Sequence, residues 1–256
     1  MAPPSPVERS VLTQIIESLK PMKRFYSGVS VAPVDGGFGV LLDGRAPRSP
    51  ARHPLVLPTE AVAEVVAAEW ASQGESIKLV SMPATRLTHT VLDAIAPARA
   101  AVAAKLAEQA TADVICYFAD YPAGLVARQE AVWTPLIDWA DEALSLRFER
   151  ARGIVHAAQP PATLAAVRDL AAGTDDFTLA GLALAAATLG SAILALALWR
   201  GRVTGAQAFA ASHLDEIFQA ETWGLDAEAS QRADAILAES EMLKAWFSAL
   251  AQEKPT

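Results

Sequence analysis

From Phe177 to Trp199 the chain carries no charged side chain. A stretch of that length can cross a bilayer or form the centre of a folded domain. Three features favour the buried alternative. Alanine, only weakly apolar, supplies much of the stretch, and Gly181, Thr188, Gly190 and Ser191 interrupt it. No basic cluster marks one side, since Arg200 and Arg202 stand against Asp175 and Asp176 at the other end. A helix that is apolar all round must be surrounded by other helices. The expectation is therefore a helix over Thr178–Arg200 at the centre of a helical bundle, with no stable membrane insertion.

The remaining composition agrees with a folded protein. Apolar residues make up 52% and charged residues 20%, which gives ample core material. The net charge of −8 would repel a polyanion, so nucleic acid and anionic membrane are poor partners. Cys116 is the single cysteine, so no internal disulfide and no thiolate zinc site can form. The N-terminus lacks the basic start and apolar core of a secretory signal, and Glu8 and Glu17 argue against a mitochondrial transit peptide. These features predict a cytoplasmic, bacterial protein. Residues 1–22 read as a flexible lead with a loose helix along Val11, Leu12, Ile15, Ile16 and Leu19.

The chain changes character near residue 95. Val29–Val34 and Phe38–Leu42 read as strands joined by Asp35-Gly36-Gly37, where glycine allows the positive φ of a tight turn. Asp43-Gly44 is a second turn, after which Arg45–Ser49 and Leu55–Leu57 could extend the sheet. Thr59 should cap a helix with the apolar stripe Val62, Val65, Val66 and Trp70, ended by Gly74. Ile77–Val80 reads as another strand, and Met82-Pro83 opens a helix through Ile95. Beyond Pro97 helices are expected over 97–111, 129–150, 161–171, 178–200, 204–222 and 226–251, with Gly and Pro breakers between them. The predicted fold class is α+β, with a small antiparallel sheet and covering helices over 23–96. A larger, all-α orthogonal bundle follows over 97–256. The tryptophans Trp70, Trp133, Trp139, Trp199 and Trp246 all fall at apolar helical positions and read as core.

No nucleotide-binding or nucleophile-elbow motif is present, so no cofactor is expected. Histidines are few. His213 and Glu216 share a helix face at i, i+3, which is half of a possible metal site, but no matching pair occurs elsewhere. The most unusual stretch is 213–226. Leu214, Ile217 and Phe218 make an apolar stripe, and Asp215, Glu216, Gln219 and Trp223 gather on another face. Glu221 falls inside the stripe, so partial burial against an arginine or a helix N-terminus is expected. From spacing alone, an acidic solvated face is the simplest reading; a metal- or carboxylate-dependent hydrolase centred on 213–226 is the enzymatic alternative.

Several segments together resemble one family. They are Arg24-Phe25-Tyr26, Leu42-Asp43-Gly44-Arg45-Ala46-Pro47 with Pro50, Glu69-Trp70 with Gln73, and Met82-Pro83-Ala84-Thr85-Arg86-Leu87. Gln129, Trp133, Pro135 and Leu136 continue the series, followed by Gly190-Ser191, Leu214-Asp215-Glu216, Gln219 and Trp223-Gly224-Leu225-Asp226. Their order is similar to that of the chaperones that assemble the mitochondrial ATP synthase head by attending its alpha subunit. Departures occur at Ser49, Thr134 and Ile115-Cys116-Tyr117-Phe118.

The resemblance implies a non-enzymatic, ATP-independent chaperone that works as a monomer in the bacterial cytoplasm, or in the mitochondrial matrix for eukaryotic relatives. Its partner would be the free alpha subunit. It further implies that Glu216, Asp215, Gln219, Glu221, Trp223 and Asp226 matter for client handling, Glu216 foremost, with Trp70 required for folding or function.

Overall fold

Two tight turns decide how the chain begins. A computed structural model describes residues 22–153, 157–224 and 227–252. The expected lead helix, His156, Leu225 and Asp226 lie outside the described residues. Strands β1 (Met22–Lys23), β2 (Val29–Val34), β3 (Gly37–Leu42) and β4 (Val56–Leu57) come first. β2 and β3 pair antiparallel from Val29↔Leu42 to Val34↔Gly37, and β4 adds beside β3. Gly37 is required there: its φ is +151°, and a Cβ would stand 2.2 Å from the Leu57 carbonyl oxygen. Arg45–Ser49 adds no strand and makes only isolated bridges, Leu42↔Arg45 and Arg48↔Pro54.

Helix α1 (Glu60–Ala71) covers this sheet with Val62, Val66 and Trp70 buried. The Thr59 hydroxyl accepts from the Val62 N–H at 3.2 Å and donates to the Ala249 carbonyl at 3.0 Å, fastening the start of α1 to the far end of the chain. Ser72, in the ordinary right-handed region, closes the helix before Gly74 is reached. The expected strand Ile77–Val80 is shorter: β5 (Ser76–Ile77) pairs with β1, and Leu79–Ser81 is a 3₁₀ turn.

Helix α2 (Pro83–Thr90) runs through a π turn at Val91–Ile95 into α3 (Ala96–Gln109). The boundary read at 96/97 therefore falls inside one continuous helical run. Next come β6 (Tyr117–Phe118), α4 (Ala123–Leu144) and β7 (Ala151–Arg152), with β6 and β7 paired in parallel. α4 begins six residues before the predicted start and stops at Ser145, whose left-handed φ of 57° turns the chain and buries Leu146. Helices α5 (Pro161–Ala172), α6 (Asp176–Leu189), α7 (Ala192–Trp199), α8 (Gly205–Ser212), α9 (Leu214–Trp223) and α10 (Ala227–Leu250) complete the fold. The whole is α+β, a small antiparallel N-terminal sheet followed by a helical region.

The apolar stretch Phe177–Trp199 is largely buried, but as two helices. Gly190 takes φ +63°, and the Ser191 hydroxyl caps α7 by accepting from the Leu194 N–H at 3.0 Å. Every residue from Ala192 to Leu198 is fully buried, with α4, α8 and α10 packed around α7. Among the described residues no helix is long and apolar enough to cross a membrane. The predicted helix 204–222 is likewise broken, at His213. Trp133 and Trp246 are core as expected, whereas Trp139 and Trp199 are only half-buried. The Arg200 guanidinium, 4.0 Å from the Trp199 ring centre, covers its outer side.

Candidate functional site

Helix α9 lies at the surface, chiefly on α4 and α8. Its apolar stripe docks it, with Leu214 buried and Ile217 and Phe218 half-buried. Asp215 turns inward. Buried Gln129 of α4 donates its amide N–H to the Asp215 carboxylate at 2.7 Å and accepts the Ala119 N–H at 2.8 Å. Four residues on, the Trp133 indole donates to the Ala211 carbonyl at 2.8 Å. Gln129 and Trp133 thus lock α9 and the end of α8 onto α4.

The face read as one in sequence is split in space. Asp215 belongs to the brace, while Glu216, Gln219 and Trp223 point to solvent, and Trp223 is 84% exposed. Glu221 is not buried as expected, because the stripe leaves the surface of α4 before reaching it. Its carboxylate meets Arg128 at 2.9 Å, and the bond from that guanidinium holds its pKa below the usual range. Beside α9 runs an apolar groove of about 430 Å³. Leu136, Val203, Ala211 and Leu214 form its floor, and Arg128 and Arg202 stand among its lining residues.

The Trp70 joint is of another kind. The Tyr26 hydroxyl donates to the Trp70 carbonyl at 2.6 Å, and the two rings meet edge-to-face at 5.8 Å. Arg24 donates to the carbonyls of Tyr26, Ser27 and Gln73. Glu69 caps α2, accepting from the N–H groups of Ala84 and Thr85, each at 2.7 Å, and from the Thr85 hydroxyl at 2.8 Å. Burial pushes its carboxyl up in pKa, against those bonds. Gln73 accepts from the Lys78 N–H and donates to the Glu69 carbonyl.

Two other clusters contain chemistry-bearing groups. Asp93 accepts from the Ser49 hydroxyl, the Ala51 N–H and His53; desolvation raises its pKa, but these bonds outweigh it and hold the carboxyl at about 2. Ser49 bonds the carboxylate through its side-chain oxygen, with the His53 backbone N–H on the same atom, so the cluster fixes a loop. His213 bonds the Ser212 hydroxyl at 2.7 Å and stacks on Phe209. Among the described residues no three His, Cys, Asp or Glu side chains group to hold a metal ion.

The decisive observation comes from comparison with known proteins. Crystalline Atp12 from Paracoccus denitrificans is 38% identical over 89% of this chain and 98% of its own, with a TM-score of 0.81. This chain belongs to the ATP12 chaperone family. The family profile, described as ATP12 chaperone protein, matches residues 23–141. An Asp-to-Lys mutant of the Paracoccus protein matches at 38% identity over 89% of this chain and 97% of its own, with a TM-score of 0.80. An Agrobacterium tumefaciens protein, proposed to be a chaperone, is 39% identical over 97% of this chain and 92% of its own, with a TM-score of 0.84.

Family membership does not separate internally bonded residues from solvent-facing ones; the geometry does. Of the residues singled out in sequence, Trp70 and Asp215 are braces, Glu216, Gln219 and Trp223 are exposed, and Glu221 is tied to Arg128. Sequence reading missed the groove. Its signal was a second stripe on α4, Arg128, Val132 and Pro135, beside the buried stripe of Gln129, Trp133 and Leu136. It also missed Asp113, which sits fully buried at the start of α7 and accepts from the N–H groups of Ile193 and Ile115. Desolvation raises its pKa to about 6, opposed by bonds from Ser191, Ile193, Ile115 and Ala192.

Proposed function

We propose that this chain is an ATP-independent assembly chaperone that holds the free alpha subunit of an F-type ATP synthase and releases it to beta. Membership of the ATP12 chaperone family over nearly the whole fold carries the reading. A free alpha subunit presents surfaces meant for its beta neighbours, and large apolar surfaces of that kind aggregate when uncovered. A holder of moderate affinity can cover them and yield to beta's larger interface without nucleotide hydrolysis. In this proposal the chain works in the bacterial cytoplasm as a monomer without cofactor.

On this reading Glu216, Gln219 and Trp223 contact the client, Asp215 and Trp70 brace, and Glu221 pairs with Arg128. Asp226 belongs to the same stretch. A highly exposed tryptophan on a locked helix supports that assignment, because tryptophan is enriched among the residues that dominate binding energy. Residues 23–96 would act as the bracing unit and 97–256 as the unit that carries the surface. The hydrolase alternative gains no observation of its own, since Asp215 is committed to Gln129 and His213 to Ser212 and Phe209.

The primary test is co-purification with unassembled alpha subunit in the absence of beta; loss of that association would remove the reading. Glu216→Gln should keep the circular dichroism spectrum while weakening protection of alpha from aggregation. Unchanged protection would reject the role of Glu216.

A further inference from the structure

The groove beside α9 has a character of its own. One wall is α4, from Arg128 through Val132 and Pro135 to Leu136; the other is α8 and α9, through Ala210, Leu214 and Ile217. The α4 wall advances by three or four residues per contact over eight residues, which is about 12 Å of helix. Two helical walls spaced in this way form the kind of trough that receives a third helix by its apolar face. The lip is apolar and open: Ala131, Val132, Pro135 and Ala210 are all exposed.

Charge narrows the occupant. The chain has 29 acidic side chains against 21 basic ones, yet no carboxylate lines this groove and two arginines do. Arg202 is exposed with no hydrogen bond or ion pair to its guanidinium among the described residues. Arg128 pairs with Glu221 and lies over the Phe218 ring, neither of which lines the groove.

We propose that the groove receives an amphipathic helical segment of the client, with its apolar face on Leu136, Val203 and Leu214 and its acidic side chains against Arg128 and Arg202. This rests on the chaperone reading and names what that surface grips: an acidic, amphipathic helix of about two to three turns. Trp223, at the end of α9, covers a neighbouring part of the same client.

The test uses the full chain and full-length alpha subunit. Val132 is replaced by the photo-crosslinking residue benzoylphenylalanine, and the crosslinked alpha peptide is identified by mass spectrometry. In parallel, alpha capture is measured for Val132→Glu, Arg202→Glu and Arg202→Lys, with circular dichroism to confirm folding. The expected result is a crosslink to one acidic amphipathic segment of alpha. Val132→Glu and Arg202→Glu should each weaken capture about tenfold, while Arg202→Lys stays near wild type and capture weakens with salt. If the wild-type chain fails to capture alpha, the chaperone reading falls, and this inference with it. If it captures alpha, but position 132 does not crosslink and both glutamate variants capture normally, the groove assignment alone is overturned. A crosslink to residues 1–21 or to a second copy also overturns it, since the occupant is then the chain itself.

Discussion

The Trp70 joint and the α9 surface both arise from short sequence motifs, yet they use their polar groups in opposite ways. At the joint, Arg24, Tyr26, Glu69 and Gln73 each bond within the protein, and the bonds link the segment after β1, helix α1 and the start of α2. On α9, Asp215 is used in this way, while Glu216, Gln219 and Trp223 face water. A motif residue with all its bonds satisfied internally serves the architecture. Trp223, 84% exposed, adds little packing to the fold, and its ring is open to a partner. Two residues of one type, Trp70 and Trp223, therefore sit in opposite environments, one in the core and one in water.

That contrast breaks first at Trp70. Trp70→Ala should destabilise the fold by about 3–5 kcal/mol, the range for removing a large buried aromatic, and lower alpha protection only in proportion to the unfolded fraction. The Trp70 indole N–H is buried without a hydrogen-bond partner among the described residues, so Trp70→Phe should restore most of the loss in a denaturant melt. Trp223→Ala should leave the melt unchanged and still lower protection. If Trp70→Phe folds fully but fails to protect alpha, the joint contacts the client and the contrast is wrong.

A second, smaller effect concerns Asp113. Its carboxyl stands at about 6 in the folded chain, against 3.8 for the ordinary group. A raised value means that the group favours folding most below about 4, and that this contribution is lost as pH rises through about 6. Asp113→Asn turns an amide towards the α7 N–H groups, so it should destabilise at every pH. The gap to wild type should nonetheless shrink by about 1 kcal/mol between pH 5 and pH 8, as only the wild type ionises. Urea melts at both pH values measure it. A gap that widens with pH would mean that the N–H donors outweigh desolvation.

Much of this was legible in sequence where local rules decide. The β2–β3 turn, the Thr59 cap and the all-round burial of α7 followed from glycine placement, capping chemistry and the absence of charge. The failures share one physical cause: they depended on what lies across from a residue. Gly190 and Ser191 read as interruptions within a helix, but Asp113, far away in sequence, makes them a break by supplying a carboxylate to the freed N–H groups. Glu221 read as buried because periodicity gives direction around α9, not where α4 stops supporting it. The Trp70 motif was visible while its purpose was not, since Glu69 acts on a helix start fifteen residues later. The groove was invisible for the same reason: its walls come from α4 and from α8–α9, which meet only on folding.

The smallest expected effect separates two uses of the acidic face. Glu221 and Arg128 form an exposed pair, and such pairs contribute little to stability. Glu221→Gln should therefore not move the thermal midpoint measurably. It also frees Arg128, so an acidic client segment no longer competes with Glu221 for that guanidinium. Capture of alpha should then tighten by about two- to threefold at low salt, and the gain should vanish at high salt. Weaker capture would place Glu221 itself in contact with the client, moving the binding surface from the groove on to the outer face of α9.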